Sequence, residues 1–293
     1  MKITNEMNLP QPLVSAVESN HRRIPRRYST TDLLKGVRET ILKRRHNDEI
    51  TEDVSDSIWL IFGKAVHSIL EDAKETETQL KENKIIVPVG DGYELSGIFD
   101  LYDDSTGTVT DYKTASVNKV MFNEWSDYRQ QVLIYCWLLQ QLGFEAWNGE
   151  IVALLKDHSK SKVGTKAGYP EHPVHTVSWQ FTNKDMAEIE KAIKAKFELL
   201  KEAEKTPDDD LPPCTDEERW ARGEKWAVKK ARNKKARKLF DDPEEAEKLC
   251  EKLNESEGGY VVEHRPPKYV KCEGYCSAKQ FCNQYKETFN DRG

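Results

Sequence analysis

Three residues between positions 96 and 116, in the segment SGIFDLYDDSTGTVTDYKTAS, have types and spacing that could do chemistry: Asp100, Asp111 and Lys113. They lie in two short apolar runs separated by the turn-forming DDSTG, and strand interiors usually avoid charge. If residues 93–102 and 108–114 pair across that turn, Asp100 comes close to Asp111. Two ionised carboxylates so placed repel unless a cation lies between them. Magnesium suits the position, because it prefers oxygen ligands and usually takes one or two carboxylates with water and substrate phosphate. Lys113 is two residues past Asp111, and strand alternation sends both side chains to one face. An ammonium there could orient an attacking water and offset charge developing at phosphorus during hydrolysis. The bland alternative is an ordinary cross-strand ion pair between Asp100 and Lys113.

The elements that must position these groups follow from periodicity. YSTTDLLKGVRETILKRR reads as a helix capped by Ser29 or Thr30, with Leu33, Leu34, Val37 and Ile41 at helical spacing. A second helix is predicted from about residue 55 to 81, with an apolar stripe of Ile58, Phe62, Ala65, Val66, Ile69 and Leu70. On it, Gly63 permits a close approach and His67 lies beside the stripe. Strands are predicted at 85–89, 93–102 and 108–114, the last two forming a hairpin. A helix follows from about 124 to 142, then strands at 151–155 and 174–181 joined by a loop containing Gly and Lys, then a helix capped by Asn183 and running to about 205. TPDDDLPP, residues 206–213, resists both regular structures and divides the chain into domains 1–205 and 206–293. In the second, WAVKKARNKKARKLF fits a hairpin turning near Asn233 or a basic helix, DPEEAEKLCEKL reads as a helix and residues 260–264 as a strand.

The motif order resembles the PD-(D/E)XK nuclease superfamily, specifically its RecB-like branch. D-x(n)-D-x-K appears as Asp100, Asp111 and Lys113, and an upstream G-x-x-x-H as Gly63 and His67, with Glu71 one turn further on. Downstream, Q-x-x-x-Y appears as Gln131 and Tyr135, one helical turn apart. Phe99 stands where the name-giving proline would be. The resemblance covers roughly residues 28–155 and implies an α/β restriction-endonuclease-like core, a mixed central β-sheet flanked by helices, with a small α+β module at the C-terminus. It implies His67, Asp100, Asp111 and the carbonyl of Tyr112 as ligands of magnesium or manganese, Lys113 as the catalytic lysine, and Gln131 with Tyr135 as positioning residues. The implied activity is DNA phosphodiester hydrolysis, by analogy exonucleolytic, in phage or bacterial recombination, repair or processing. A non-catalytic DNA-binding scaffold of the same fold, or an RNA-processing nuclease, is the rival. A recombinase, single-strand-binding protein or helicase would be a natural partner.

The C-terminal segment KCEGYCSAKQFCNQY crowds Cys272, Cys276 and Cys282 together, which suits a soft metal. Three thiolates need a fourth ligand, and Cys214 at the start of the module is the choice. Some RecB-like nucleases carry a [4Fe-4S] cluster on one early and three late cysteines. Here no cysteine precedes Cys136, so either Cys214 has taken the fourth place or the site is not an iron-sulfur cluster, with zinc as the alternative metal. Cys136 and Cys250 sit in apolar helical contexts and read as packing residues.

The chain's 293 residues, 37% of them hydrophobic, are enough for a sizeable core and exclude a disordered chain. A formal charge of -6 argues against nucleic acid until its distribution is seen: residues 219–238 hold ten Lys or Arg and one acid, Glu224. Arg219, Lys229, Lys230, Arg232, Lys234 and Lys235 could neutralise phosphates. Trp220 and Trp226 could stack on bases or form the module's own core. HRRIPRR, residues 21–27, is a second basic knot. No run reaches the roughly 18 to 20 apolar residues of a membrane helix and the N-terminal residues lack a secretory pattern, so the cytoplasm is the expected compartment and no membrane the expected partner.

Overall fold

The chain enters the fold through β1 (Lys2–Thr4) and α1 (Gln11–Val17) in the computed structural model, which describes residues 1–18 and 24–290. His21, Arg22 and Arg23 of the basic knot lie outside the described residues. The predicted first helix is divided into β2 (Arg27–Ser29), α2 (Thr30–Leu33) and α3 (Val37–Arg45). Ser29 ends the strand and caps the helix: its hydroxyl accepts the Asp32 N–H at 3.2 Å, and Asp32 accepts the Ser29 N–H at 3.1 Å. Gly36 then serves as the N-cap of α3. After β3 (Thr51–Asp53), parallel to β1, one 3-10 turn leads into α4 (Ile58–Glu71). This helix stops ten residues short of its predicted end, because residues 79–81 extend into β4 (Gln79–Lys81). None of its residues is buried, so the apolar stripe is largely a surface.

The strands that carry the site come next: β5 (Lys84–Gly90), β6 (Tyr93–Ile98), β7 (Leu101–Asp103) and β8 (Thr108–Ala115). The run predicted as one strand over 93–102 breaks at Phe99 and Asp100. Upstream, β6 joins β5 and β2 in a three-stranded sheet; downstream, β7 forms the expected hairpin with β8. A short helix missed by the sequence pattern, α5 (Val117–Met121), precedes α6 (Ser126–Gln141), β9 (Asn148–Leu155), β10 (Val174–Gln180) and α7 (Asn183–Ala203). The cap of α7 is Thr182, reciprocally bonded with Asp185, rather than Asn183.

The main sheet has the order β10-β9-β8-β7-β4, with β8 and β9 parallel and the other pairs antiparallel. Parallel β8 and β9 require a crossover, which α5 and α6 supply. Nine consecutive residues of α6, Gln131 to Leu139, are buried, as are Met186, Ile189, Ile193, Phe197 and Leu200 on one face of α7. Helix α6 approaches β9 closely at Gly149, where a Cβ would lie 2.6 Å from Val132 Cγ1. Cys136 is fully buried in this core and acts as a packing residue. These elements form the unit Met1–Leu211.

The second unit, Pro212–Gly293, begins with β11 (Ala221–Arg222) and β12 (Lys225–Lys230) and continues through β13 (Lys238–Phe240), α8 (Pro243–Ser256) and β14 (Tyr260–Arg265). It closes with β15 (Lys268–Tyr269), α9 (Val270–Gly274) and α10 (Asn283–Asn290). The basic stretch is therefore a hairpin, and β13-β12-β14 make an antiparallel sheet. Val228, Phe240, Ala246, Cys250, Leu253 and Tyr260 are its core, with Trp226 packed against them. Among the described residues, no helix is long and apolar enough to cross a membrane.

Candidate active site

The β7-β8 register pairs Leu101 with Thr110, so one step further it sets Asp100 opposite Asp111, at the point where the chain leaves one sheet for the other. Both carboxyls are buried, Asp111 to 1% exposure. Asp100 Oδ2 accepts the Tyr112 backbone N–H at 2.6 Å, and its Oδ1 lies 3.3 Å from His67 Nδ1. Helix α4 delivers His67 from alongside β8, and the close approach expected at Gly63, one turn earlier on the same face, is not tight enough to require glycine. A Cβ there would stand 3.9 Å from Thr114 Oγ1.

A residue outside the sequence motif completes this corner. Glu82 follows β4, whose pairing of Lys81 with Leu101 sets it beside Asp100, and its N–H donates to the Asp100 carbonyl at 3.2 Å. Its Oε1 is 3.5 Å from His67 Nδ1, and single ligand atoms of His67, Glu82 and Asp100 all lie within 4.8 Å of one another. The Asp100 carboxylate holds the His67 imidazole above its usual pKa, against the opposing effect of burial. Burial, and then the Asp100 charge, raise Glu82. Glu71 is exposed at the end of α4 and does not belong to this group; its carbonyl instead accepts the Lys81 ammonium at 2.6 Å.

Asp111 and Lys113 share one face of β8, and the Lys113 ammonium lies 2.5 Å from Asp111 Oδ2. Asp100 thus faces the imidazole and Asp111 the ammonium, which relieves the carboxylate repulsion. Burial, opposed by Lys113 and reinforced by Asp100, pushes the Asp111 pKa up to about 6. Its Oδ2 is thus buried with the Lys113 ammonium as its close polar neighbour, and it is the oxygen that would turn to a ligand if that pair opened.

Helix α6 walls this corner. Gln131 and Tyr135 are buried, and Gln131 Nε2 donates to the Tyr135 hydroxyl at 2.9 Å. Tyr128, unremarked in the sequence, stands one turn earlier with the Lys113 and Lys119 ammoniums 5.6 Å and 3.9 Å from its ring centroid. Burial lifts its hydroxyl to a pKa of about 12.

In the second unit all four candidate cluster cysteines are half-buried and none is in a disulfide. The Cys214 N–H donates to Gln284 Oε1 and the Cys214 carbonyl accepts from Gln284 Nε2, both at 2.9 Å, so Cys214 is held beside the segment that follows Cys282. The basic residues divide. Arg219 is buried, its guanidinium 3.4 Å from the Tyr269 ring centroid and bonded to the Thr288 hydroxyl, which removes it from the set that can face phosphate. Lys229 pairs with Glu263. Lys230, Arg232, Lys234 and Lys235 are exposed around the hairpin turn, while Trp220 is exposed near Tyr275 and Trp226 belongs to the core.

A mixed sheet flanked by helices, with two acids and a lysine on its β7-β8 hairpin, is the restriction-endonuclease-like class of α/β fold. The sequence profile of the PD-(D/E)XK nuclease superfamily matches residues 21–283, and the chain belongs to that superfamily. Among solved structures, that of SSO0001 is 18% identical, with a TM-score of 0.46 over 64% of this chain and 82% of its own. A phage-related exonuclease from Haemophilus somnus 129PT is 12% identical, with a TM-score of 0.28 over 57% and 74%. No curated protein matches.

Proposed function

We propose that this nuclease-superfamily chain is a magnesium- or manganese-dependent deoxyribonuclease that degrades DNA from its ends. The observation that carries the reading is the meeting of His67, Glu82 and Asp100 beside the Asp111–Lys113 pair. An imidazole and two carboxylates, with a further buried acid beside them, make a donor set that fits a hard divalent ion. His67, Glu82, Asp100 and Asp111 would hold the ion, with the Tyr112 carbonyl as a further oxygen. When bound, the ion supplies an acidified water and neutralises charge on the phosphoryl oxygens.

The chain's own groups do the rest. Lys113, released from Asp111, offers its ammonium to the attacking water and the developing negative charge. Gln131 and Tyr135 keep the wall behind Asp111 polar and fixed. Exonucleolytic action is proposed by analogy with the RecB-like branch, with recombination, repair or DNA processing as the setting. Lys230, Arg232, Lys234 and Lys235 would add a sequence-independent grip on phosphates. In the second unit Cys214, Cys272, Cys276 and Cys282 would bind a structural [4Fe-4S] cluster, or zinc. An absorbance near 400 nm in anaerobically purified protein, lost in Cys282→Ser, identifies the cluster.

The test is digestion of end-labelled single-stranded DNA, duplex DNA and RNA by wild type and Lys113→Ala. DNA shortening from its ends, abolished by chelator and by the substitution, supports the proposal. Preferential cleavage of RNA, or no cleavage of any substrate, overturns it.

A further inference from the structure

Helix α4 has a second feature that the catalytic reading leaves unused. Trp59 is 61% exposed and Phe62 43%, although rings of this size normally contribute much of a domain's buried surface. Trp59, Gly63 and His67 fall at i, i+4 and i+8, on one face of the helix. That face meets Thr114 at Gly63 and Asp100 at His67, so Trp59 continues the wall of the candidate active site. Eight residues of helix place it about 12 Å from His67.

The indole is held in place beside a cation. Phe62 meets it edge-on, with centroids 6.4 Å apart at 88°, and the Lys156 ammonium lies 4.1 Å from the Trp59 ring centroid. Lys156 is itself placed by its N–H bond to the Ala115 carbonyl, 3.0 Å long, at the end of the strand that carries Asp111 and Lys113. The loop beyond it adds Lys160, Lys162 and Lys166, none of which has an ion pair among the described residues. Of its two acids, Asp157 is occupied by the Ser116 hydroxyl at 2.7 Å and the Val117 N–H at 2.8 Å, and Glu171 lies at the far end of the loop, three residues before β10. A π-face next to an ammonium, with further lysines on the loop that follows it in sequence, matches a base attached to phosphates. A purely apolar partner would find lysine in its way.

Resting on the nuclease reading, we propose that Trp59, backed by Phe62 and Lys156, is a stacking platform for an unpaired base of the strand that enters the site. At about 3.4 Å per stacked nucleotide, the platform engages a base some three or four nucleotides from the phosphate being cut. The substrate class is therefore a single-stranded or frayed DNA end, and a blunt duplex must melt several pairs to reach the platform.

The test uses full-length protein and oligonucleotides carrying 2-aminopurine at each of the first six positions from either end. In a Lys113→Ala background, quenching is expected at a base three or four nucleotides from the scissile position, and Trp59→Ala should remove it. In the cleavage-competent protein, Trp59→Ala should raise KM for a single-stranded substrate about tenfold with kcat little changed. Trp59→Phe should restore most of the loss, and thermal melting establishes that the variants are folded. Unaltered quenching and KM in Trp59→Ala overturn the platform. So does a change of oligomeric mass by light scattering without any base-dependent signal, which would assign the face to a second copy of the chain. A wild type that cleaves nothing but quenches through Trp59 refutes the nuclease reading alone.

Discussion

Replacing Asp111 with Asn should stabilise the metal-free protein. Burial raises the Asp111 pKa from its ordinary 3.8 to about 6, a shift of about two units. At 1.36 kcal/mol per unit, ionising this carboxyl in the folded state costs about 3 kcal/mol at pH 7.5. The sign follows from linkage: with the folded pKa raised, the favourable contribution is complete below 3.8 and is lost as pH rises through about 6. Asparagine is spared that loss but leaves Lys113 without its partner. Because the ammonium is partly exposed and can turn to water, a net gain of about 1–3 kcal/mol remains. In a domain of this size 1 kcal/mol moves Tm by about 2–4 °C. Scanning calorimetry in chelator at pH 7.5 should therefore show Asp111→Asn melting several degrees above wild type, with the difference vanishing near pH 4. Magnesium at a hundred times its Kd should then add about 2.7 kcal/mol to wild type and clearly less to the variant, closing or reversing the order. An Asn variant less stable than wild type in chelator, or an equal response of both to magnesium, would refute the reasoning.

Glu82→Gln should weaken magnesium binding about tenfold or more, seen as lost cleavage at low magnesium that high magnesium restores. Gly149→Ala should cost about 1–3 kcal/mol, measured as a lower urea midpoint, because the new methyl meets Val132 and Phe181 at 2.6 and 2.7 Å. At the end of α3, burial opposes the charge on His46, but its bonds to Asp208 at 2.6 Å and Glu49 at 2.7 Å outweigh it and raise the pKa above 6.5. That stability is present below 6.5 and lost as pH rises through the raised value. His46→Gln should therefore cost about 0.5–1 kcal/mol at pH 5.5 and little at pH 8.5 in chemical denaturation.

The part of the site written in local spacing was legible. Asp111 and Lys113 needed only strand alternation, Asp100 only a hairpin, and Gln131 with Tyr135 only one helical turn. Glu82 was not, because its place beside Asp100 arises from the pairing of β4 with β7, and residues 79–81 were assigned to the preceding helix. That misassignment has a physical origin: the charged ETETQLKEN carries no apolar alternation, and β4 is held by its neighbour rather than by propensity. The apolar stripe of α4 shows a different limit. Helical periodicity identifies an apolar face but says nothing of what covers it, and here Trp59, Phe62 and Ile69 remain exposed. Arg219 shows the same limit for charge, since a cation in a basic run can be folded inward onto an aromatic ring.

Manganese offers the most direct view of the proposed centre, through electron spin-echo modulation of Mn2+ added to the full-length protein. One tightly held ion with nitrogen modulation is predicted, the modulation disappearing in His67→Ala and the affinity falling sharply in Asp100→Asn. A protein that binds no manganese tightly, or whose nitrogen signal survives the loss of His67, would contradict the account.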